Sequence, residues 1–304
     1  MTTIPPAPAA PDPRDGAVYV THPELDLAVD VALATGRPLL LRGKPGSGKS
    51  SLAPYVARAR GWRYYEHVVT SRTRTTDLLW SFDAVRRLAD AQVLGRGARL
   101  DDHRYVVPGA LWWAFAPSSA ARPNTSASDP LEHLNRTRSH NHAVVLIDEI
   151  DKADPDVPNG LLVPLGSSEF TVAETGTLVR KENPGGSHLI VLTTNEEREL
   201  PRAFLRRCVI ATLPDPTRER LIQIAHAHFP PPVVDLLAGR LADELLKLRG
   251  QTSGTHVPST AEYLDALRAC VALGISPGND RRWDLIRDLT LVKPRRPEDG
   301  DDEW

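Results

Sequence analysis

Cysteine is scarce in this sequence of 304 residues, and the two that occur, Cys208 and Cys270, lie far apart. A disulfide framework and a zinc ribbon both need more cysteines at closer spacing, so both classes are excluded. An excess of one charge sign is also lacking, because 37 Lys and Arg face 39 Asp and Glu, for a formal net charge of −2. This balance excludes a chain that coats nucleic acid through overall positive charge.

Long apolar runs are missing as well. The run at 143–147 is among the longest, and a helix that spans a bilayer needs about 20 such residues. The first residues are rich in proline and alanine, without the basic and then apolar stretches of a secretory signal. We therefore expect a cytoplasmic protein without a membrane span.

Composition changes along the chain predict its organisation. Residues 1–17 are rich in proline and nearly free of large apolar groups, which predicts a disordered tail, and 294–304 predict an acidic tail of the same kind. Between them we expect an α/β domain over 18–213, interrupted at 116–142 by a flexible insert rich in Ser, Pro, Asn and Ala, and a smaller helical domain over 214–293.

Short apolar runs indicate the fold class of the first domain. Four of them occur, at 38–41, 143–147, 189–192 and, more briefly, 209–211. Continuous apolar strands of this kind are typical of a parallel sheet that helices cover on both faces. From Pro214 onward the apolar residues recur at helical spacing instead, which predicts the all-helical second domain.

A glycine-rich motif follows the first apolar run. It matches the phosphate-binding loop pattern G-x-x-x-x-G-K-[ST] and consists of Gly43, Lys44, Pro45, Gly46, Ser47, Gly48, Lys49 and Ser50. Glycines let successive backbone N–H groups turn toward a phosphate, and the next helix presents its positive end. Lys49 is expected to reach the β- and γ-phosphates, and Ser50 to bind Mg²⁺.

An acidic pair ends the second apolar run. Asp148 and Glu149 lie where the carboxyl end of a buried strand is expected, which is the place where ligands bind in open α/β sheets. Asp148 is predicted to complete the Mg²⁺ shell, and Glu149 to act as general base toward the attacking water. The alternative is a solvated strand end without a function.

Polar residues also follow the third run. Asn195 is predicted to hydrogen-bond the γ-phosphate or the attacking water, unless it only serves the turn. Arg206 and Arg207 close a short helical segment further on. They are either surface cations or arginine fingers that neutralise transition-state charge at a neighbouring subunit.

Taken in order, these motifs resemble the AAA+ ATPases of the MoxR-like branch over about two-thirds of the chain. The residues that carry the resemblance are the phosphate-binding loop, Asp148–Glu149–Ile150–Asp151–Lys152–Ala153, Asn195, Leu205–Arg206–Arg207–Cys208, Pro108–Gly109–Ala110–Leu111, Asn159–Gly160–Leu161–Leu162 and Asp77–Leu78–Leu79.

The resemblance implies an αβα P-loop core with a parallel sheet, a helical lid, and ATP bound with Mg²⁺ at the subunit interfaces of a homo-oligomer, expected to be a hexameric ring. By position, residues 43–50 correspond to Walker A, Asp148 and Glu149 to Walker B, and Asn195 to sensor 1. Arg206 or Arg207, with Arg207 favoured, corresponds to the finger. The implied function is ATP hydrolysis that remodels or activates a partner protein, in the manner of a chaperone, and the implied partner is a von Willebrand factor A-domain protein.

One motif of this group is absent. Lid helices of the group carry a sensor-2 arginine near their start, where this chain has Ala261. Either sensor 2 is missing, or another residue such as Arg268 replaces it. The missing arginine favours an alternative function, an ATP-gated assembly scaffold that hydrolyses little.

A nucleic-acid motor on the same fold is the other alternative. Its support is a group of arginines interleaved with Trp62, Tyr64 and Tyr65, which together could bind phosphates and stack on bases. The arginines are Arg58, Arg60, Arg63, Arg72, Arg74, Arg86, Arg87, Arg96, Arg99 and Arg104. Because arginine outnumbers lysine throughout the chain, these residues are also explained as general surface cations, and nucleic acid is the disfavoured partner.

Overall fold

A computed structural model describes residues 13–94, 99–121, 128–251, 257–277 and 281–292. Its strands are β1 (Leu39–Arg42), β2 (Trp62–Val68), β3 (Trp80–Phe82), β4 (Val106–Pro108), β5 (Ser139–Asp148), β6 (Glu169–Thr171), β7 (Leu178–Arg180), β8 (His188–Thr194) and β9 (Val209–Thr212). Its α-helices are α1 (Pro23–Thr35), α2 (Lys49–Arg60), α3 (Thr75–Leu79), α4 (Ala84–Leu94), α5 (Ala110–Phe115), α6 (Pro117–Ala120), α7 (Glu132–Asn135), α8 (Asp156–Gly160), α9 (Leu162–Ser167), α10 (Arg202–Leu205), α11 (Arg218–His228), α12 (Pro231–Gln251), α13 (Thr260–Leu273) and α14 (Arg281–Thr290).

The main sheet has five strands in the order β2-β5-β8-β1-β9, and every pair in it is parallel. The four predicted apolar runs form β1, β5, β8 and β9, which confirms the predicted α/β class with a parallel sheet. Strand β2 was not predicted, because Arg63, Glu66 and His67 interrupt its apolar residues. Two small antiparallel sheets of two strands each, β3-β4 and β6-β7, lie outside the main sheet.

Helices cover both faces of the sheet. Because successive side chains of a strand point to opposite sides, one strand contributes to the core on each face. Leu40 of β1 belongs to one hydrophobic core, together with residues of α5 and α8. Leu39 and Leu41 belong to the other core, which α1 and α2 complete. The side chains of all three leucines are fully buried. This two-faced burial explains why the strand sequences are continuously apolar rather than alternating.

The last part of the described chain is helical. From Arg218 onward its regular elements are α11 to α14, as predicted for the second domain, and they share a third hydrophobic core that includes Leu241, Tyr263 and Leu267. Helix α13 begins with a capping box in which Ser259 accepts from the N–H of Glu262, and Glu262 in turn accepts from the N–H of Ser259. This cap fixes the start of α13, which lies beside the phosphate-binding loop.

The segments predicted as tails and insert are described only in part. Residues 1–12 and 294–304 lie outside the described residues, whereas Pro13–Asp15 form a 3₁₀ turn. Within 116–142, α6, α7 and the start of β5 are regular, and only 122–127 lie outside the description. This low-complexity segment nevertheless contributes a buried residue. Asn135 is buried, and its side chain forms two hydrogen bonds to the backbone of Tyr64 in β2. Among the described helices, none has both the length and the apolar character needed to cross a membrane.

Candidate functional site

The phosphate-binding loop connects β1 to α2 at the carboxyl edge of the sheet. All three of its glycines have a positive φ, which side chains disfavour: 152° at Gly43, 69° at Gly46 and 92° at Gly48. A Cβ on Gly46 would lie 2.5 Å from the Ser259 hydroxyl, so the loop also touches the helical domain closely. Gly48 directly precedes α2 and acts as its N-cap. The predicted strand–loop–helix context of the motif is therefore confirmed.

Lys49 lies folded over this loop. Its Nζ donates to the carbonyl oxygens of Gly43 (2.7 Å) and Lys44 (2.9 Å) and to Oδ1 of Asn195 (2.7 Å). The residue is only 6% exposed, and desolvation by burial lowers the pKa of its ammonium group, against the opposing attraction of Asp148 and Asp151. Lys49 is thus a poorly hydrated cation at the centre of the loop, which favours binding of an anion.

Two oxygen-bearing side chains meet beside Lys49. Ser50 Oγ donates to Asp148 Oδ1 over 2.8 Å, although the two residues belong to α2 and β5. Thr193 of β8 donates to the same carboxylate oxygen (2.5 Å) and accepts from the N–H of Glu149 (2.8 Å). Thr193 is fully buried and fixes the orientation of both acidic residues. Thr193 gives no signal of this role in the sequence, because it looks like one more strand residue.

Glu149 has an unusual backbone conformation, with φ 59° in the left-handed region. This turn directs the chain away from β5 into a 3₁₀ turn, Ile150–Lys152. The Glu149 carboxylate contacts two groups: its Oε2 accepts from Lys152 Nζ (2.7 Å), and its Oε1 accepts from Asn195 Nδ2 (3.3 Å). The hydrogen bond to Glu149 raises the pKa of Lys152.

Asn195 connects the two halves of the site because of the strand order. Strand β8 lies between β1 and β5, and Arg42 pairs with Thr194 while Ile147 pairs with Leu192. The residue after β8 therefore lies between the phosphate-binding loop and the acidic pair. Its side-chain amide accepts from Lys49 and donates to Glu149, so a continuous polar chain runs from the loop lysine to the glutamate.

A residue without a predicted role holds Asn195 in place. Asp151 is 2% exposed, and its Oδ2 accepts from the backbone N–H groups of Asn195 (3.1 Å) and Glu197 (2.9 Å). The loop that carries Asn195 is thereby tied to the turn that follows Glu149. A sequence signal existed, since Asp151 is part of the acidic motif at 148–153, but the role of its side chain depends on the neighbouring loop.

These residues line a cavity of about 670 Å³, within the range of about 300–1,000 Å³ usual for small-molecule sites. Residues 45–50, Asp148, Glu149 and Asn195 all belong to its wall, which the segment 18–22 and helices α11 and α13 complete. The carbonyl groups of Gly43 and Lys44 hold Lys49 at its base. The side chain of Lys44 instead points to Asp215, with Nζ 2.6 Å from Oδ2.

Arg220 of α11 fastens the segment 18–22 to the helical domain. Its Nη2 donates to the carbonyl oxygens of Thr21 (2.6 Å) and Val20. Next to them, the rings of Tyr19 and Tyr55 pack with centroids 5.3 Å apart. Burial raises the pKa of the Tyr19 hydroxyl to about 12, so this ring forms an uncharged, largely apolar part of the wall beside the Arg220 guanidinium. Such a wall suits a planar base more than a phosphate.

The start of α13 contacts the phosphate-binding loop directly. The N–H of Ala261 donates to the Gly46 carbonyl (3.2 Å), and both Ala261 and Arg268 line the cavity. Ala261 has no polar side chain to offer a ligand. Arg268 lies seven residues further along the same helix face, about 10 Å along the axis, and Asp265 accepts from its Nη1 (2.7 Å).

Arg206 and Arg207 lie elsewhere. Both are exposed and neither lines the cavity. They precede β9, whose first residue Val209 pairs with Leu39 at the amino end of β1. The phosphate-binding loop follows the other end of β1, about 10 Å away along the strand. The structure thus separates the two arginines from the other predicted site residues of the same chain.

Four arginines of the predicted basic patch are neutralised within the described residues. Arg58, Arg60, Arg74 and Arg87 form ion pairs with Asp15, Asp30, Asp77 and Asp102, at 3.3, 2.6, 3.6 and 2.5 Å respectively. Tyr64 and Tyr65 are each 1% exposed and cannot stack on bases. Arg96 lies outside the described residues. These observations weaken the case for a nucleic-acid interface here.

Comparison with known proteins places this site in a family. The profile of the AAA domain (dynein-related subfamily) matches residues 38–208, which include the phosphate-binding loop, Asp148, Glu149, Asn195, Arg206 and Arg207. Among curated proteins no sequence matches the chain.

Solved structures offer distant likenesses. A candidate ATPase from Cytophaga hutchinsonii is 15% identical, with 86% of this chain and 77% of that chain covered and a TM-score of 0.44. Two variants of Thermotoga maritima RuvB are also 15% identical. They cover 88% and 89% of this chain and 68% and 70% of their own, with TM-scores of 0.46 and 0.47. Values this low carry no information on activity.

Proposed function

The chain belongs to the AAA domain family, dynein-related subfamily, and from this premise we propose that it hydrolyses ATP to ADP and phosphate. The observation that carries the proposal is the polar chain Lys49–Asn195–Glu149 along the tips of three neighbouring strands. It places a phosphate-binding cation, a polar amide and a carboxylate side by side, which are the groups that water attack on a phosphoryl group needs.

The residues beside the polar chain Lys49–Asn195–Glu149 have the oxygen donors that suit Mg²⁺. Ser50 and Asp148 present oxygen atoms 2.8 Å apart, and hard oxygen ligands are the ones Mg²⁺ prefers. We propose that these two residues hold the ion together with the phosphates of ATP. When bound, Mg²⁺ neutralises phosphate charge and polarises the γ-phosphoryl group. Thr193 keeps Asp148 oriented for this role through its short hydrogen bond.

The hydrolytic step uses the remaining residues. Backbone N–H groups of the loop and Lys49 bind the phosphates, for which Lys49 exchanges its carbonyl partners. Asn195 orients the water. Glu149 takes a proton from this water. At the same time the oxygen of the water bonds to the γ-phosphorus, and the bond between the γ-phosphorus and the ADP oxygen breaks. The apolar ring of Tyr19, beside Arg220, receives the adenine of ATP.

We propose that Arg207 completes the site of a neighbouring subunit. Its separation from the cavity of its own chain supports action in trans, because the side chain cannot reach its own nucleotide. Arg206 is the less favoured candidate. An arginine finger contributes about 10³ to 10⁵ in rate, so hydrolysis then requires an oligomer, for which we propose a hexameric ring.

The wider role rests on the order of the motifs. We propose that the protein is MoxR-like and acts as a chaperone that remodels or activates a partner, with a von Willebrand factor A-domain protein as the first partner to test. The helical domain supports coupling to movement, because Ala261 and Ser259 touch the loop that binds phosphate. Arg268 lines the cavity and is our candidate for the missing sensor 2. Two free, buried cysteines support a cytoplasmic location.

A second function keeps specific support. An ATP-gated scaffold that hydrolyses little would suit Ala261 at the sensor-2 position, since this residue offers the nucleotide only a methyl group. In such a protein nucleotide would promote assembly, and turnover would be slow even in the ring.

Phosphate release by the purified chain and by Glu149→Gln separates the two functions. For the hydrolase we expect Mg²⁺-dependent release by the wild type, loss of release with EDTA, and no turnover by Glu149→Gln at unchanged affinity for a fluorescent ATP analogue. Normal hydrolysis by the variant would show that Glu149 is not the base. Assembly on ATP without release by the wild type would favour the scaffold.

A further inference from the structure

We propose that Lys152 is a positioning residue that restrains Glu149, and that this restraint sets the basal rate of hydrolysis. The inference rests on the proposed ATPase function and adds a residue to it. Its basis is the contact between Lys152 Nζ and Glu149 Oε2, 2.7 Å apart, within a single turn of chain.

The backbone brings these two side chains together. Glu149 has φ 59° and the following residues form a 3₁₀ turn, in which the N–H of Lys152 donates to the Glu149 carbonyl (3.0 Å). A lysine three residues after Glu149 therefore folds back over its carboxylate. Both carboxylate oxygens are then engaged, one by Lys152 and the other by Asn195.

This arrangement opposes the action of Glu149 as a base. The base must accept a hydrogen bond from the attacking water, and the ammonium group competes for the same carboxylate oxygen. Rotation of the Glu149 side chain toward the water would also break the contact with Lys152. The side chain of Lys152 is 39% exposed and that of Glu149 is 29% exposed. Ion pairs this exposed stabilise a fold little, so the contact affects the position of the Glu149 carboxylate more than the stability of the protein.

A second acidic residue, Glu197, is an alternative ionic partner for the Lys152 ammonium group. Glu197 and Asp151 attract the ammonium group in addition to Glu149. Glu197 Oε1 lies 3.5 Å from Asn195 Nδ2, so the glutamate is within reach of the same amide that contacts Glu149. Lys152 can therefore transfer from Glu149 to Glu197 without losing an ionic partner.

Phosphate binding supplies a reason for the transfer. Asn195 Oδ1 accepts from Lys49 in the structure, and Lys49 must turn to the phosphates of a bound nucleotide. Asn195 then loses a partner and its amide is free to reorient, which alters its contact with Glu149. Lys152 is the restraint that remains, and its release is a separate step that a partner protein or neighbouring subunit can favour.

The test compares Lys152→Met with Lys152→Arg and with a matched control, Lys247→Met, which removes an exposed lysine that does not line the cavity. Steady-state phosphate release gives kcat and KM, and a fluorescent ADP analogue gives nucleotide affinity. We expect Lys152→Met to raise basal kcat about three- to fivefold at unchanged affinity, the scale of one exposed ion pair. Lys152→Arg and Lys247→Met should keep the wild-type rate.

Two results would overturn the proposal. An unchanged kcat in Lys152→Met would show that the contact does not restrain Glu149, and a lower kcat at unchanged affinity would show that Lys152 helps the reaction instead. Failure of the ATPase function has a different signature, which is absence of turnover in the wild type and in every variant.

Discussion

Asp151 offers the sharpest test of how the site is built. Its Oδ2 accepts from the N–H groups of Asn195 and Glu197, at 3.1 and 2.9 Å, in a place that is almost fully buried. Asp151→Ala removes both bonds and leaves two N–H groups without their acceptor. We expect the loop after β8 to move and Asn195 to lose its alignment with Glu149, which lowers kcat.

The size of the effect follows from the two bonds. Hydrogen bonds to charged groups contribute about 1.5–3 kcal/mol each, and because these two share one oxygen we take the low end, about 3 kcal/mol together. If relaxation of the loop recovers half of this, about 1.5 kcal/mol remains. Since about 1.4 kcal/mol corresponds to a factor of ten, kcat should fall by about 10-fold to 150-fold.

Asp151→Asn is the matched control. Its amide oxygen can accept from both N–H groups, while the amide nitrogen takes the place of Oδ1, an atom that is buried without a partner in the described structure. This variant should keep kcat within about threefold of the wild type, since the acceptor and the side-chain shape are preserved. Phosphate release measures kcat, and a fluorescent ADP analogue reports whether the nucleotide site is intact.

Non-additivity distinguishes a positioning role from a general loss of stability. If Asp151 acts through Asn195, the double variant Asp151→Ala/Asn195→Ala should be no slower than Asn195→Ala alone. Wild-type kcat in Asp151→Ala would refute the reasoning. Equal losses in the Ala and Asn variants would also refute it, because then the charge of Asp151 would matter more than its hydrogen bonds.

Two further predictions concern the subunit interface and the helical domain. Arg207→Ala should lower kcat by about 10³ or more, whereas Arg206→Ala should stay near the wild-type rate. An equal mixture of Arg207→Ala and Glu149→Gln subunits should recover about a quarter of the wild-type rate if assembly is random. No recovery in this mixture would contradict action in trans. Gly46→Ala should speed hydrogen exchange in residues 257–273 about tenfold, since its Cβ meets Ser259 at 2.5 Å. Gly48→Ala shares the positive φ but meets only Tyr19 at 3.8 Å, so equal effects would contradict this contact.

Much of the fold could be predicted because buried parallel strands leave a strong signal. The runs that became β1, β5, β8 and β9 are continuously apolar, and the phosphate-binding loop and the acidic pair follow the ends of two of them. Strand β2 lacks this signal. It lies at the edge of the sheet, and Arg63, Glu66 and His67 flank its two adjacent tyrosines, so Tyr64 and Tyr65 resembled a surface for nucleic acid although they are 1% exposed.

The sequence by itself determined which chemical groups the site contains, since Lys49, Ser50, Asp148, Glu149 and Asn195 were each identifiable from short local patterns. Only the tertiary structure decided how they act on one another. The insertion of β8 between β1 and β5 places Asn195 between Lys49 and Glu149, and strand order depends on packing over long distances in sequence, which local patterns do not encode.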